Sequence, residues 1–313
     1  MTAVFDSASI FAAISPAEAV ARTRDAFLAH HAGEWSMPSK LYVDAPPAGD
    51  FRAMPARGGG LAILKWVTSF PGNPERGLPV VAGALLISSD ETGELLAIAD
   101  CAAVTSLRTG AAAAVSAQAL APAGARTAGI VGCGVNGSWA ARCLAASGYG
   151  SGVCADVRRE SAEALAAELG WRAGSTADAL SCDVVVTVTP GDRPVVDASD
   201  IEPGRHLALL GADGHGKAEL TASAVARCEL FCDEWAQAST GGELAGPVER
   251  GEIGREEVTE LGAVLAGDAP GRADPDAITA FDSTGLAIQD LGIAHALIDA
   301  WRAGDLEAGE ISV

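Results

Sequence analysis

Thr127-Ala-Gly-Ile-Val-Gly-Cys-Gly-Val-Asn-Gly-Ser-Trp139 is the stretch that decides the predicted fold. The four residues after Thr127 are typical of a short strand that is covered on both faces. Gly132, Gly134 and Gly137 follow with the spacing G-x-G-x-x-G, which lets the backbone turn tightly, approach a pyrophosphate and pack the next helix on the strand. The helix predicted over 138–146 points its N-terminal N–H groups and positive dipole end at the phosphates. The stretch therefore predicts a dinucleotide-binding site.

An acidic residue about 20 positions further on distinguishes a nucleotide site from an ordinary glycine-rich loop. The second predicted strand, Gly152-Val-Cys-Ala-Asp156, ends in such a residue. A carboxylate there binds the ribose hydroxyls and repels a 2′-phosphate, so we predict NAD as the cofactor in preference to NADP. Arg158 and Arg159 weaken this preference without reversing it.

Length and charge limit the classes of protein. A chain of 313 residues suits two domains with ample core. The formal net charge of −20 and the isoelectric point near 4.5 argue against nucleic acid or an anionic membrane as a partner, because both need a basic surface. The sequence has no apolar run of about 18 residues and no basic N-terminal region followed by an apolar segment. We therefore expect a soluble, cytoplasmic protein.

The seven cysteines are scattered and lie mostly inside apolar runs. Buried free thiols are the better interpretation of such a pattern. Cys228 and Cys232 form the closest pair, but with no second pair and no nearby histidine they make a poor zinc site. We predict no metal site.

Lysine is used sparingly in this chain. Lys40, Lys65 and Lys217 are the three lysines among 21 basic residues. An ammonium group is compact and can shift its pKa to accept and donate protons, which a guanidinium group cannot do. We therefore predict functional roles for Lys65 and Lys40, whereas chance retention explains Lys217 equally well.

The N-terminal part predicts a helix followed by a small sheet. Ser15-Pro-Ala-Glu18 has the residues of a capping box, which opens the helix. Short β-like runs between residues 37 and 87 then predict antiparallel strands, with Lys40, Arg52 and Lys65 on neighbouring strands. Three cations so close together repel each other unless an anion lies among them. A substrate carboxylate is the candidate for that anion.

The next predicted helix, over 104–120, is rich in alanine. Arg108 and Thr109 lie towards its N-terminal end, where both residues are well placed to bind an anion. Residues 121–125 contain proline and glycine, so they break the helix and mark a domain boundary.

The second half alternates predicted strands and helices, which is the pattern of a doubly wound parallel sheet. The predicted strands cover 183–189, 206–211, 229–233 and 277–285, and the predicted helices cover 159–169, 256–265 and 286–303. The fold class is α/β, with an NAD-binding Rossmann domain over 121–286. A second α+β domain, for substrate binding and dimerisation, covers 1–120 and is completed by the C-terminal helix within 287–313. Asp213 follows a strand at the sheet's carboxyl edge, which suits a catalytic or water-orienting carboxylate.

Several ordered motifs resemble those of the ornithine cyclodeaminase/μ-crystallin family, from about Ala17 to His295. They are Met37-Pro-Ser-Lys40, Phe51-Arg-Ala-Met-Pro55, Leu64-Lys-Trp-Val67, Pro71-Gly-Asn73, Gly77-Leu-Pro79, Thr105-Ser-Leu-Arg-Thr-Gly110, Gly211-Ala-Asp213 and Phe281-Asp-Ser-Thr-Gly-Leu-Ala-Ile-Gln-Asp290. Within the family, Leu64-Lys-Trp-Val67 and the segment from Phe281 to Asp290 look most like the archaeal-type alanine dehydrogenases. The resemblance implies a homodimer with substrate bound by the N-terminal domain and the cofactor by the central domain.

The resemblance also implies roles for individual residues. Lys65 matches the proton-transferring lysine, and Lys40, Arg52 and Arg108 match residues that handle carboxylate. The residues implied for the cofactor are Arg108, Thr109, Gly132, Gly134, Val135, Asn136, Gly137, Asp156, Val157, Arg158, Thr189, Gly211, Ala212 and Ser283. Two departures, Lys40 in place of an arginine and Gly-His-Gly over 214–216 in place of a cysteine-proline pair, speak against ornithine cyclisation.

These observations favour NAD-dependent oxidative deamination of a small L-amino acid, with alanine as the first candidate and the reverse amination equally accessible. Asp213 would orient the attacking water, while Lys65, with a pKa that we expect neighbouring cations to lower, exchanges protons with the nitrogen. Three alternatives stay open on the same residues: reduction of a ketimine, ornithine cyclodeamination, and nucleotide or ligand binding without turnover.

Overall fold

The computed structural model describes residues 1–190, 193–214 and 216–312. The chain divides into two compact units. The first unit contains Met1–Arg108 and Leu286–Val313, and the second contains Thr109–Gly285. The chain therefore passes back into the first unit at Leu286, and its last helix belongs to that unit.

The N-terminal segment contains six strands and three helices, which follow here in chain order. They are β1 (Thr2–Phe5), α1 (Ser7–Ala13), α2 (Pro16–His31), β2 (Leu41–Ala45), β3 (Gly49–Gly58), β4 (Leu61–Ser69), β5 (Val81–Ser89), β6 (Leu95–Asp100) and α3 (Cys101–Leu120). The predicted helix cap is confirmed, because the Ser15 hydroxyl accepts a hydrogen bond from the Glu18 N–H (3.2 Å) at the start of α2.

The central segment alternates short strands and helices. They are β7 (Thr127–Val131), α4 (Val135–Ala146), β8 (Ser151–Ala155), α5 (Arg159–Leu169), β9 (Arg172–Ala173), α6 (Thr176–Leu180), β10 (Val184–Thr187), β11 (His206–Leu209), α7 (Ala222–Val225), β12 (Cys228–Cys232), α8 (Trp235–Gly241), α9 (Ala245–Glu249), β13 (Val258–Glu260), α10 (Leu261–Ala266) and β14 (Ile278–Asp282). The chain ends with α11 (Ala287–Ala303) and β15 (Gly309–Ile311).

The sheet of the first unit has the strand order β15-β1-β6-β5-β4-β3-β2 within the described residues. Strands β2 to β6 form an antiparallel meander, and β1 joins β6 in parallel. Side chains alternate along β4, so Lys65 points to the covered face while Leu64 and Trp66 point to the other face. Helix α11 lies against β3 and β4 on the covered face and packs on α2.

Close packing between α11 and α2 depends on Gly292. A Cβ at this position would lie 2.8 Å from the Arg22 carbonyl oxygen, so only glycine lets the two helices approach this closely. The C-terminal helix is therefore part of the first unit's core.

The sheet of the second unit has the order β13-β12-β14-β11-β10-β7-β8-β9, and every recorded pairing is parallel. Strands β10 and β11 are buried along their whole length, as expected for a sheet that is covered on both faces. The chain crosses outward from β7 to β8 and then back to β10, which places the switch of strand order beside β7. The predicted doubly wound α/β fold is confirmed.

Some predicted element boundaries are wrong. Helix α3 begins at Cys101 and not at residue 104, because the Asp100 carboxylate accepts the Ala103 N–H (2.7 Å) and starts the helix earlier. The helix predicted over 256–265 is replaced by a short 3-10 turn, by β13 and by α10. Pairing of β13 with the end of β12 overrides the helical pattern of that segment.

The division between the two compact units falls inside α3, between Arg108 and Thr109, whereas the sequence places its boundary after residue 120, where α3 ends.

The seven cysteines are all free thiols, and six of them are buried as predicted while Cys228 is half-buried. Among the described residues, no three or more potential metal ligands cluster. In the same ranges, no helix has the length and apolar character needed to span a bilayer.

Candidate active site

Lys65 lies in the middle of β4 and is almost completely buried, with 1% of its surface exposed. Its Nζ donates hydrogen bonds to both carboxylate oxygens of Asp290, at 2.9 and 3.1 Å. Asp290 is in the first turn of α11 and is fully buried. A buried ion pair between residues 225 positions apart thus joins the sheet to the C-terminal helix inside the first unit.

Burial lowers the pKa of Lys65, because the charged ammonium group loses its hydration. The nearby Arg108 cation also lowers this pKa, while the Asp290 carboxylate and the Cys101 thiol oppose the decrease. Lys65 is therefore an ammonium group that can release its proton more readily than an exposed lysine. The sequence predicted the direction of this shift but attributed it to neighbouring cations, whereas burial is its largest cause.

Arg108 belongs to the same cluster. Its Nε lies 3.3 Å from Asp290 Oδ1, and its Nη1 donates to Gln289 Oε1 (3.4 Å). Gln289 Oε1 also accepts the Leu286 N–H (3.2 Å) at the start of α11, and its buried Nε2 has no acceptor among the described residues. Two cations, Lys65 and Arg108, therefore share the single carboxylate of Asp290, and the buried Gln289 Nε2 remains available as a donor.

Arg52 and Lys40 complete the predicted set of cations. Arg52 lies on β3, and its Nε and Nη2 donate to the two oxygens of Asp50 (2.6 and 3.2 Å) while its guanidinium lies over the Tyr42 ring (5.3 Å). In the pairing of β3 with β4, Arg52 lies opposite Val67 and Met54 lies opposite Lys65. Residues opposite each other, and residues two apart on one strand, lie on the same face, so Arg52 and Lys65 share one face of the sheet. Lys40 immediately precedes β2, the neighbour of β3.

The predicted need for an anion among these cations is met by the protein itself. Asp290 and Asp50 provide carboxylates, and neither was assigned a role from the sequence. Asp290 could have been noticed, because it is the one charged residue in the mostly apolar sequence from Leu286 to Ala294. A charge at such a position is rare unless it has a buried partner.

The glycine turn of the second unit fits a dinucleotide. Gly132 has a φ of 101°, which L-residues rarely adopt, and a Cβ at Gly137 would lie 1.8 Å from the Gly132 carbonyl oxygen. Gly134 precedes α4 without a side-chain cap, and a Cβ there would meet open space. Val135 and Asn136 form the first turn of α4, so their N–H groups face the direction from which a phosphate would approach.

Asp156 lies directly after β8 and is tied to this turn. Its Oδ2 accepts the Cys133 N–H (2.6 Å), and its Oδ1 accepts the Arg158 N–H (2.7 Å). Both oxygens keep further lone pairs for ribose hydroxyls. Val157 is fully exposed, and the exposed Arg158 side chain comes within 3.9 Å of Asp156. The predicted cofactor residues from 132 to 158 are therefore brought together, and the residues present fit an NAD ribose and pyrophosphate.

The remaining predicted cofactor residues lie at or near the carboxyl ends of neighbouring strands. Thr189 follows β10, Gly211 and the buried Ala212 follow β11, and the buried Ser283 follows β14 and donates its N–H to Leu209 O (3.0 Å). Thr109 is buried in α3.

Asp213 follows Ala212 at this edge and lies 2.6 Å from Lys217 Nζ. Lys217, for which the sequence left the role open, is thus the ion-pair partner of the predicted catalytic carboxylate. His215, the middle residue of the Gly-His-Gly departure over 214–216, lies outside the described residues.

Buried acidic residues accumulate beneath the same edge, and sequence reasoning missed them. Glu219, Glu243, Asp233 and Asp282 are all buried. Burial raises the pKa of Glu243 to about 7, even though it accepts the N–H groups of Glu219 and Leu220. Burial and the nearby Asp233 carboxylate also raise the pKa of Asp282.

Residues 2–305 match the model of the ornithine cyclodeaminase/mu-crystallin family. The alanine dehydrogenase of Archaeoglobus fulgidus is 39% identical over 305 residues, covering 95% of this chain and 94% of the relative. The iminosuccinate reductase of Paracoccus denitrificans is 34% identical over 242 residues, 74% of each chain. A solved archaeal alanine dehydrogenase dimer with bound NAD superposes with a TM-score of 0.93 at 37% identity and covers 99% of both chains.

Proposed function

Because the chain belongs to the ornithine cyclodeaminase/mu-crystallin family, we propose that it is an NAD-dependent oxidoreductase that acts on the CH–NH2 group of a small L-amino acid. Alanine is the first candidate, with a 2-oxo acid and ammonia as the products of oxidation. The observation that carries the proposal is Lys65, a completely buried lysine with a lowered pKa and an ordered carboxylate partner. Perturbed ionisable groups of this kind concentrate at functional sites.

In the proposed reaction, Lys65 moves the protons. Its lowered pKa allows the neutral amine form to accept a proton from the substrate ammonium group, and later to return a proton to the departing nitrogen. Arg108 and Gln289 would bind the substrate carboxylate, since the Gln289 Nε2 is a buried donor that lacks an acceptor among the described residues. Arg52 and Lys40 would add positive charge on the same sheet.

The nicotinamide ring supplies the chemistry of hydride exchange when NAD is bound. The chain's own part is to hold the cofactor at the glycine turn and Asp156, and to keep Asp213 in place through Lys217. Asp213 would orient the water that adds to the imine of the substrate.

The direct test is an assay of NADH absorbance with a panel of L-amino acids and NAD, together with 2-oxo acids, ammonia and NADH in the reverse direction. Turnover with alanine, or with another small amino acid, supports the proposal. Binding of NADH without turnover of any substrate in either direction would contradict it and would favour a ligand-binding protein.

A second candidate function is reduction of a ketimine, including a cyclic imino acid. The similarity to an iminosuccinate reductase favours it, and the same lysine would then protonate the imine nitrogen before reduction. Oxidation of NADH by a preformed imine, with no reaction of any primary amino acid, would support this second function. Ornithine cyclodeamination is distinguished by turnover without net formation of NADH.

The preference for NAD gives a separate prediction. Replacing Asp156 by Asn removes the charge that repels a 2′-phosphate but keeps an oxygen to accept the Cys133 N–H, so the turn should persist. We expect the ratio of NADH to NADPH affinity, measured by fluorescence titration, to fall at least about tenfold because a like-charge repulsion at contact distance is lost. The control Glu163→Gln removes the same charge from the surface of α5 and should leave the ratio unchanged. An unchanged ratio in Asp156→Asn would contradict the assignment.

We also propose that the enzyme is a homodimer joined through the open face of the first unit's sheet. Leu41, Val43, Leu64 and Trp66 are exposed on that face, by 59%, 46%, 37% and 41%, and Phe51 stacks on Trp66 with 5.6 Å between ring centroids. Contiguous exposed apolar surface of this kind is typical of an interface. A second copy of the chain is the proposed occupant, because a solved archaeal alanine dehydrogenase of the same fold is a dimer and a two-fold dimer uses the same patch on both subunits.

Trp66→Glu should separate the dimer, because it places a charge in the middle of this apolar face. Analytical ultracentrifugation should show the wild-type protein at twice the chain mass of 31.4 kDa and the variant at the chain mass. The control Ile311→Glu introduces the same charge at an exposed apolar position on β15, the opposite edge of the sheet, and should remain dimeric. A monomeric wild-type protein, or a dimeric Trp66→Glu variant, would disprove this interface.

A further inference from the structure

Glu219 occupies an unusual position for a carboxylate. It is completely buried, and its two oxygens accept four hydrogen bonds from the ends of two neighbouring strands. Oε1 accepts the Thr189 N–H (2.7 Å) and the Thr189 hydroxyl (2.8 Å). Oε2 accepts the Thr187 hydroxyl (2.7 Å) and the Gly211 N–H (2.8 Å). One side chain thus ties the end of β10 to the end of β11.

These four hydrogen bonds lie where the regular hydrogen-bond ladder between β10 and β11 ends. The last ladder-type bond runs from Leu210 N to Thr187 O, so the N–H groups of Thr189 and Gly211 have no strand partner. A buried N–H without an acceptor is costly. Glu219 supplies both acceptors from one side chain, which allows the two strand ends to stay close beyond the regular sheet.

The backbone at Gly211 is fitted to this arrangement. A Cβ there would lie 2.3 Å from the Thr189 carbonyl oxygen and 2.5 Å from Glu219 Oε1. Glycine is therefore required for the approach of the two strand ends to the carboxylate.

Glu219 itself is held by Glu243. The two Glu243 oxygens accept the N–H groups of Glu219 and Leu220, both at 2.8 Å. The Val195 and Val196 N–H groups donate to the Glu219 carbonyl oxygen (2.7 and 3.1 Å). Hydrogen bonds thus hold both the backbone and the side chain of Glu219 in place.

The segment that leaves β11 at Gly211 returns at Glu219, and it carries Asp213 two residues beyond the tie. The Gly211 N–H to Glu219 bond closes this segment at its base. The Glu219 carboxylate therefore holds the backbone at Gly211, two residues before Asp213. Lys217, which pairs with Asp213, lies two residues before Glu219, so each member of that ion pair is two residues from a backbone position that is held at this carboxylate.

We propose that Glu219 is a positioning residue for the reaction, which fixes the strand ends at Thr189 and Gly211 and, through Gly211, places Asp213. The inference rests on the proposed function, because Asp213 is assigned there to orient the water, and the resemblance implies that Thr189, Gly211 and Ala212 contact the cofactor. Glu219 touches neither substrate nor cofactor in this scheme. It acts through the backbone that it holds.

The test compares Glu219→Gln, Glu219→Asp and Asp183→Asn with the wild-type enzyme. Glutamine keeps one acceptor oxygen but turns an NH2 group towards two of the four donors, so one strand end loses its partner. Aspartate keeps both oxygens on a shorter side chain and should restore part of the function. Asp183 is a matched control at the opposite end of β10, where it accepts the N–H groups of Arg126 and Thr127 (2.9 and 3.0 Å).

We expect kcat of Glu219→Gln to fall by about 10- to 100-fold, because a displacement of about 1 Å in a catalytic group has effects of this size. The Kd for NADH should change less than about threefold, since the pyrophosphate turn and Asp156 are untouched. Hydrogen exchange at the Thr189 and Gly211 amides should accelerate in this variant. Asp183→Asn should lower the Tm while kcat per folded molecule stays at the wild-type value.

Two outcomes would overturn the inference and are separable from failure of the proposed function. If the wild-type enzyme turns over and Glu219→Gln keeps its kcat with only a lowered Tm, the residue has a structural role alone and the proposed function still stands. If kcat falls equally in Asp183→Asn, loss of general stability explains the effect. A wild-type protein without turnover rejects the proposed function itself, while the exchange rates still report whether Glu219 holds the two amides.

Discussion

Replacing Lys65 by Met is expected to reduce turnover by at least about a thousandfold while NAD binding stays within about threefold of the wild-type value. Methionine has nearly the length and volume of lysine but cannot accept or donate a proton. Asp290 keeps a cationic partner in this variant, because Arg108 Nε lies 3.3 Å from the same carboxylate. The protein should therefore fold, and the loss of activity should report the missing amine.

Lys65→Arg separates charge from proton transfer. A guanidinium group preserves the positive charge beside Asp290 but stays protonated at all usable pH values. If proton transfer is the role of Lys65, this variant should be as inactive as Lys65→Met. Recovery of activity in Lys65→Arg would show that only the charge is needed.

NADH fluorescence titration and single-turnover absorbance measure the two quantities independently. Purified Lys65→Met should bind NADH with an almost unchanged Kd, because the glycine turn and Asp156 belong to the second unit. A variant that still reduces NAD in the presence of the substrate at more than about a tenth of the wild-type rate would remove Lys65 from the mechanism.

The second unit could be predicted from the sequence because its signals are local. The spacing of Gly132, Gly134 and Gly137, and the acid at the end of the next strand, each describe a few neighbouring residues whose conformations are set by short-range sterics. The alternation of predicted strands and helices was then enough to predict the parallel sheet. The strand at β13 could not be predicted, because three residues with a helical pattern become a strand only by pairing with β12.

The buried carboxylates could not be assigned roles for the opposite reason. Asp290 meets Lys65 across 225 residues, and Glu219 binds donors that lie up to 32 residues away. Nothing in the local sequence specifies such partners. An acidic residue inside an apolar run signals a buried partner, which applies to Asp290, but Glu219 lies in a mixed segment that gives no such signal.

Asp290 gives the largest expected effect on stability. Replacing it by Asn leaves Lys65 and Arg108 without a neutralising carboxylate in a site where Lys65 is 1% exposed. Breaking a buried ion pair from one side destabilises a protein by about 3–5 kcal/mol, because the remaining charge is buried without compensation. Urea unfolding at neutral pH should show a loss of this size in the variant.

This loss should depend on pH in a definite direction. The pKa of Lys65 is already below its usual value of 10.5, and removal of Asp290 takes away the main contribution that raises it. Between the folded pKa and the unfolded pKa, the unfolded chain binds a proton that the folded protein does not, so the free energy of unfolding rises with pH. Asp290→Asn widens this window, and its deficit relative to wild type should therefore be smaller at about pH 9 than at about pH 6.

The double variant Lys65→Met with Asp290→Asn completes the argument. If the deficit comes from the uncompensated ammonium group, removing that group should recover part of the lost stability, so the two changes should be strongly non-additive. Additive losses, or a deficit that is the same at both pH values, would show that Asp290 stabilises the protein by packing alone. The acid limb of kcat/KM supplies an independent measurement: it should move to lower pH in Asp290→Asn, because the unprotonated form of Lys65 is reached at lower pH once the carboxylate is gone.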